Sequence, residues 1–133
     1  YKDEDAEVLL VTSGAPASTA LEAVDRLRAR GLKAGNLRLR QFRPFPAAAL
    51  RRRLRPGVRL AVVDRNFSMG HHGIFCEEIK SALYAMPEPP AVFGYVAGLG
   101  GGDITPELLC EAWEDCAAGK GDPDGPVWLE DAR

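Results

Sequence analysis

The chain has 133 residues, 46% hydrophobic and 27% charged, the proportions of one ordinary globular domain with a sizeable core. No apolar run approaches the roughly 20 residues that cross a bilayer, and no apolar signal segment follows the acidic start Tyr1-Lys2-Asp3-Glu4-Asp5; a cytoplasmic protein with no membrane contact is expected. The net charge of −2 is unevenly spread: residues 26–59 hold eleven arginines and Lys33 without one acid, whereas residues 66–133 hold twelve acids against Lys80, Lys120 and Arg133.

A basic third of this kind suits a solvated face, an acidic partner subunit or the phosphates of a cofactor. With no aromatic interleaving and no nucleic-acid module, it does not point to nucleic acid. The three cysteines, Cys76, Cys110 and Cys116, are odd in number and lack CxxC spacing. They read as buried free thiols, too few for four-thiolate zinc or iron–sulfur ligation within this chain. The chain does not open with methionine, and a fragment of something longer is expected.

Val8-Leu9-Leu10-Val11 is a short continuous apolar run, as in a strand buried on both faces. After the break Ser13-Gly14-Ala15-Pro16 a helix is expected, with Ala17, Ala20, Leu21, Val24 and Leu27 in its apolar stripe. It starts either with Pro16 in the first turn or with a capping box of Thr19 and Glu22, and stops at Gly31. Residues 36–42 alternate strictly and predict a strand covered on one face, its arginines facing a sheet edge or a partner. Arg43-Pro44-Phe45-Pro46 forces extended backbone, and Ala47 to Leu54 makes a short helix.

Leu60-Ala61-Val62-Val63 is the third strand. Phe75, Ile79, Ala82, Leu83 and Met86 give the next helix its stripe, which the prolines at 87, 89 and 90 end. Ala91 to Ala97 is the fourth strand. Thr105-Pro106-Glu107 is a helix start: an N-cap hydroxyl, a proline at the first helical position and an acid facing the dipole. Leu109, Ala112, Trp113 and Cys116 form that helix's apolar face. From Gly119 the chain reads as a tail in which Val127-Trp128-Leu129 can dock back.

Alternating short strands and helices predict an α/β fold, a mostly parallel sheet with helices on both faces. The loops after the strands then gather on one functional rim: Ser13–Ser18, Asp64–Gly73 and Gly98–Asp103. Gly98-x-Gly100 sits where a dinucleotide fingerprint would, but its third glycine position is Asp103, whose carboxylate would repel a pyrophosphate. A tight turn with positive φ angles fits better. His71 and His72 are adjacent, so on a helix they diverge and cannot clamp one metal. Cys76 and His72 have thiol–imidazole spacing, yet a lone helical cysteine is ordinarily core. No Gly-Asp-Gly thiamine motif, HExxH, GxSxG or paired-carboxylate set is present. The residues give a decorated rim without a self-contained catalytic set.

The order of segments carries a resemblance. LRLRQFRPFP (37–46), VVDRNFSMG (62–70), EIKSALY (78–84) and GYVAGLGGGDITPE (94–107) resemble the pyruvate:ferredoxin oxidoreductase family, over roughly residues 5–110. Within it they are similar to the second domain of the α subunit. The resemblance implies a three-layer α/β/α fold like the C-terminal domain of transketolase: a five-stranded, mostly parallel sheet with one antiparallel strand. Val127–Leu129 or the proline-flanked region would supply the fifth strand. The implied division is residues 1–6 as a linker from a preceding domain, 7–118 as the domain and 119–133 as a tail.

The family oxidatively decarboxylates a 2-oxoacid, pyruvate by default, to an acyl-CoA and passes electrons to ferredoxin. It uses thiamine diphosphate, Mg, iron–sulfur clusters and CoA, all implied to lie in other domains or subunits, which are the expected partners. This chain's implied share is assembly and support, without catalytic, cofactor or metal residues. The alternative is a free-standing CoA- or phosphate-binding or subunit-docking module. The rim residues implied at the interface are Arg43, Asp64, Arg65, Asn66, Gly70, His71, Gly98, Gly100, Gly101 and Asp103. Two departures fall there: His71-His72-Gly73-Ile74 replaces the family's frequent Ser-Gly-Gly-Pro, and Gly102 stands where arginine is usual. Asp64 and Asn66 are expected to fix a turn through backbone amides near Gly70 rather than to transfer protons.

Overall fold

The apolar run at the start of the chain is buried on both sides because it becomes the inner strand β1 (Val8–Ser13). The structure, a computed structural model, describes residues 1–130. After β1 come α1 (Pro16–Ala29), β2 (Ala34–Leu39), α2 (Ala47–Arg53), β3 (Arg59–Asp64), α3 (Ile74–Leu83), β4 (Ala91–Ala97), α4 (Pro106–Ala117) and β5 (Val127–Leu129). A single 3-10 turn, Leu99–Gly101, follows β4. The strand order is β2-β1-β3-β4-β5, and all neighbouring pairs are parallel. The fifth strand is the docked Val127–Leu129; the last three residues of the expected tail lie outside the described residues.

The antiparallel strand that the resemblance implied is not among these five. The antiparallel pairing observed is one exchanged residue pair on the open edge of β2: the Tyr1 amine donates to Asn36 O at 2.8 Å, and Asn36 N–H to Tyr1 O at 2.9 Å.

Successive residues of the central strands point to opposite faces, and each face has its own core. Val8, Leu10, Ala61, Val63, Tyr95 and Ala97 lie under α1 and α4. Leu9, Val11, Leu60 and Val62 lie under α2 and α3. Trp113 Nε1 donates to Val8 O at 3.0 Å and Tyr95 Oη to Asp115 Oδ2 at 2.8 Å, so α4 is tied to β1 and β4 by polar as well as apolar contact. The Arg59 guanidinium donates to Ala117 O and completes the last turn of α4.

Three local expectations are corrected, in β2 and in the apolar stripes of α1 and α3, and the two alternatives for the start of α1 are decided. The second strand is Ala34–Leu39, not 36–42: Ala34 and Gly35 pair with Val8 and Leu9 despite weak strand propensity, and the strand stops before the proline-rich segment. Helix α1 begins with Pro16 at its first position, and Thr19 with Glu22 does not cap it. Leu21 is 41% exposed, its place in the stripe taken by the fully buried Ala23; with Ala17 and Ala20 this makes a small-residue face that lets α1 lie close to the sheet. In α3, Cys76 joins Ile79 and Leu83 in the core, while Met86 packs from beyond the helix end. The start of α4 is as expected, with Thr105 Oγ1 accepting from Leu108 N–H at 3.3 Å.

The corrected stripe is testable within one helix. Leu27→Ala removes a fully buried side chain and should cost about 2–5 kcal/mol in urea unfolding, whereas Leu21→Ala should cost no more than about 1 kcal/mol.

Candidate functional site

All five strands point their carboxyl ends at one rim, and the rim is organised around the end of β3. Asp64 is the last residue of that strand, and its side chain is only 1% exposed. A buried carboxylate needs donors on both oxygens, and it has them. Oδ1 accepts from Phe75 N–H at 3.1 Å and from the Asn66 side-chain amide at 3.1 Å; Oδ2 accepts from Cys76 N–H at 3.0 Å. Asn66 Oδ1 accepts from Ile74 N–H at 2.7 Å. The first three amides of α3, which no helical carbonyl can satisfy, are thus all taken by two side chains from the end of β3.

The N-cap position itself is Gly73, and the reason is steric. A Cβ there would lie 2.2 Å from Asp64 Oδ2, so only glycine lets the carboxylate reach the helix. The expectation placed these bonds near Gly70; they fall at residues 74–76 instead. The segment between closes its own turn, with His71 N–H donating to Ser68 O at 2.9 Å and Ser68 N–H to His72 O at 3.0 Å, and leaves the helix amides as the unsatisfied donors. Burial pushes the Asp64 carboxyl above the ordinary aspartate range, and the amides of Cys76 and Phe75 and the side chain of Asn66 pull it back.

Arg65 points the other way along the rim. Its Nε donates to Gly98 O at 3.0 Å and Nη2 to Gly102 O at 3.2 Å, which fastens the loop after β4 to the loop after β3. Gly98, Gly100 and Gly101 have φ of +71°, +67° and +86°, as the turn reading requires. Asp103 follows that turn, exposed. His71 Nδ1 lies 3.0 Å from Glu77 Oε1, which also accepts from His72 N–H. Gly70 has φ of +73° in the intervening turn. Arg43 lies beyond the end of β2, stacks over Phe42 at 3.9 Å and pairs with Glu78 of α3 at 2.7 Å.

The structure therefore brings Arg43, Asp64, Asn66, Gly70 and His71 together around the first turns of α3. Through Arg65 it joins them to Gly98, Gly100, Gly101 and Asp103. Ser13 and Gly14, on the third rim loop, line a separate cleft of about 340 Å³ with Arg38, Arg40, Phe42 and Phe75.

Two rim features escaped the sequence reading. His72 is 5% exposed; its Nε2 faces Lys80 Nζ at 3.1 Å, and its Nδ1 is buried without a partner. The ring fits because β4 carries Gly94, where a Cβ would lie 3.1 Å from Nδ1; a glycine inside a strand was the available signal. The second is Trp128 of β5, half-exposed and in edge contact with Phe67 at 4.8 Å between centroids. The Cys76 thiol is fully buried and pushed up to about 12, which makes it core and not a nucleophile.

Chemically, this rim holds backbone in place. Asp64, Arg65 and Asn66 each satisfy main-chain groups. Residues 6–109 match the family model for pyruvate:ferredoxin oxidoreductase core domain II. The chain belongs to the pyruvate:ferredoxin oxidoreductase family. Pyruvate synthase subunit PorA of Thermotoga maritima is 42% identical over 119 residues, 90% of this chain and 30% of that protein. Ketoisovalerate oxidoreductase subunit VorA of Pyrococcus furiosus is 42% identical over 102 residues, 77% of this chain and 26% of that protein. The chain thus spans less than a third of the length of these relatives.

Among solved structures, the 2-oxoglutarate:ferredoxin oxidoreductase from Magnetococcus marinus, with 2-oxoglutarate, coenzyme A and succinyl-CoA bound, shares the fold. Its TM-score is 0.60 at 24% identity, covering 84% of this chain and 18% of that one.

Two predictions come from the α3 junction. Asp64→Asn swaps one acceptor oxygen for a donor amide that would oppose a helix N–H; it and Asn66→Ala should each cost about 1–3 kcal/mol in urea unfolding. His72 supplies a pH dependence. Burial, then Lys80 and His71, hold its folded value below the ordinary 6.5, against opposing pulls from Glu77 and Asp122. The unfolded chain therefore binds the proton first as pH falls, and the His72 contribution, fully present above 6.5, is lost below it. Thermal melts from pH 8 to about 5 should fall more steeply for the wild type than for His72→Gln.

Proposed function

We propose that this domain is a non-catalytic assembly and support domain of a thiamine-diphosphate-dependent 2-oxoacid:ferredoxin oxidoreductase. The complete cytoplasmic enzyme would oxidatively decarboxylate pyruvate or a related 2-oxoacid to the acyl-CoA, with ferredoxin as electron acceptor. The observation that carries this reading is the use of Asp64, Arg65 and Asn66: the polar residues at the end of β3 are committed to holding the head of α3 and the neighbouring loop.

The cysteines present do not fit an iron–sulfur cluster. Cys76 belongs to the core under α2 and α3, whereas Cys110 and Cys116 belong to the opposite face, so the three thiols cannot converge on one cluster. Burial raises all three. Thiamine diphosphate, Mg, iron–sulfur clusters and CoA are assigned to other domains or subunits, which are this domain's partners. Residues 1–6 lead in from a preceding domain and are held against this one by Arg28, which donates to Lys2 O, and by the Arg53–Asp3 pair. Among the described residues no helix is long and apolar enough to cross a membrane.

The decisive measurement is made in the complete enzyme. Asn66→Ala should reduce the yield or thermal stability of assembled complex while pyruvate-dependent dye reduction per assembled complex stays within a few-fold of wild type. A variant that assembles normally and loses turnover a thousandfold would place Asn66 in the chemistry and overturn the proposal.

A further inference from the structure

The carboxyl ends of β4 and β5 enclose a cleft of about 500 Å³ that the α3 junction does not use. Gly98, Leu99, Gly102, Asp103, Trp128 and Glu130 line it. Its apolar lining is half-exposed: Leu99 is 44% and Trp128 51% accessible, and Phe67 braces the Trp128 ring. A cluster of this kind in a soluble domain is characteristic of a contact surface. An indole held beside a cleft is a typical anchor of one.

The charge in the cleft says what the contact must carry. Asp103 and Glu130 are both exposed at its mouth, and among the described residues neither has a hydrogen bond or a cation. The nearby guanidinium, Arg65, is already committed to Gly98 O and Gly102 O. An apolar occupant alone would desolvate two carboxylates without compensation, which is costly; one bearing a cation would gain from both. Arg65 also fixes the wall. By clamping both ends of the glycine turn it holds Leu99 opposite Trp128, so the seat exists before anything enters it.

We infer that this cleft receives a segment of another domain or subunit of the complete oxidoreductase, in which a lysine or arginine stands next to a large apolar side chain. The apolar group fills the gap between Leu99 and Trp128, and the cation pairs with Asp103 and Glu130. The inference rests on the support-domain reading above, since it supplies that domain with a specific contact.

The test replaces Leu99 by photoreactive p-benzoylphenylalanine in the complete enzyme, irradiates the assembled complex and maps the adduct by mass spectrometry. The expected adduct lies outside this domain, on a segment with Lys or Arg within about two residues of the attachment point. Adding Asp103→Lys and Glu130→Lys should lower its yield at least tenfold. An adduct on a second copy of this domain, on a bound small molecule or on a segment without a cation would overturn the inference. So would an assembled complex giving no adduct, or a yield indifferent to the charge reversal. Dye reduction with pyruvate and other 2-oxoacids is assayed on the same unirradiated preparation. Its absence counts against the oxidoreductase reading, while the adduct decides the cleft.

Discussion

The rim depends on one buried carboxylate. Asp64 lies at the end of an inner strand and is 1% exposed, a position where an unpaired charge would be several kcal/mol uphill. It is tolerated because the start of α3 brings two backbone N–H groups to it and Asn66 brings a third donor. The dependence runs both ways. Without the Asp64–Asn66 pair, three N–H groups at the head of α3 would be left to compete for water inside a packed junction. The requirement for glycine at 73 follows from that arrangement.

A rim acid with a raised pKa is ordinarily a reason to suspect catalysis. Here geometry argues against it. Proton transfer requires an oxygen that a substrate or a water can reach, and both Asp64 oxygens are occupied by groups that cannot move without unwinding the first turn of α3. The upward shift reflects desolvation, opposed by hydrogen bonds to the charged form, and is a consequence of anchoring a helix. Arg65 fits the same logic at lower burial, because its two carbonyl acceptors hold a glycine-rich turn that would otherwise have little to fix it.

Much of this was legible in the sequence because the signals were local. The apolar run at 8–11, the Thr105-Pro106-Glu107 helix start and the strand-loop-helix alternation each have one simple physical reading, and the structure follows them. The α/β class and the family came from segment order. The errors came where a neighbour outranked the local pattern. Leu21 was placed in the stripe, but it is the smaller Ala23 that is buried against the core. Ala34-Gly35 carries little strand propensity, yet β1 recruits it. The role of Asp64-Arg65-Asn66 as a structural junction was visible, but its partners were placed near Gly70. Which amides lack acceptors depends on where α3 begins, and Gly73 gives no capping side chain to announce it. His72 was weighed as a metal ligand and as an imidazole partner of Cys76, not as a buried ring; the space for its burial comes from Gly94, 22 positions away on another strand.

The sheet also explains the charge asymmetry that composition alone left open. Strand order puts β2 at one edge and β5 at the other. The basic third of the chain builds the β2 edge and α2, where Arg38, Arg40 and Arg53 surround an apolar groove of about 290 Å³ with Leu37, Leu39 and Leu50. Asp103 and Glu130 of the acid-rich remainder lie at the β5 edge. The arginine excess is not left bare at the other edge, because the fold brings acids to it: Asp3 pairs with Arg53, Asp5 with Arg28, and Glu78 of α3 with Arg43. The asymmetry along the chain is thus largely a pairing of segments distant in sequence. Exposed pairs of this kind each contribute little to stability, so they set which segments lie together more than how tightly they hold. The β3–α3 junction, with its buried carboxylate and backbone donors, holds the rim independently of them.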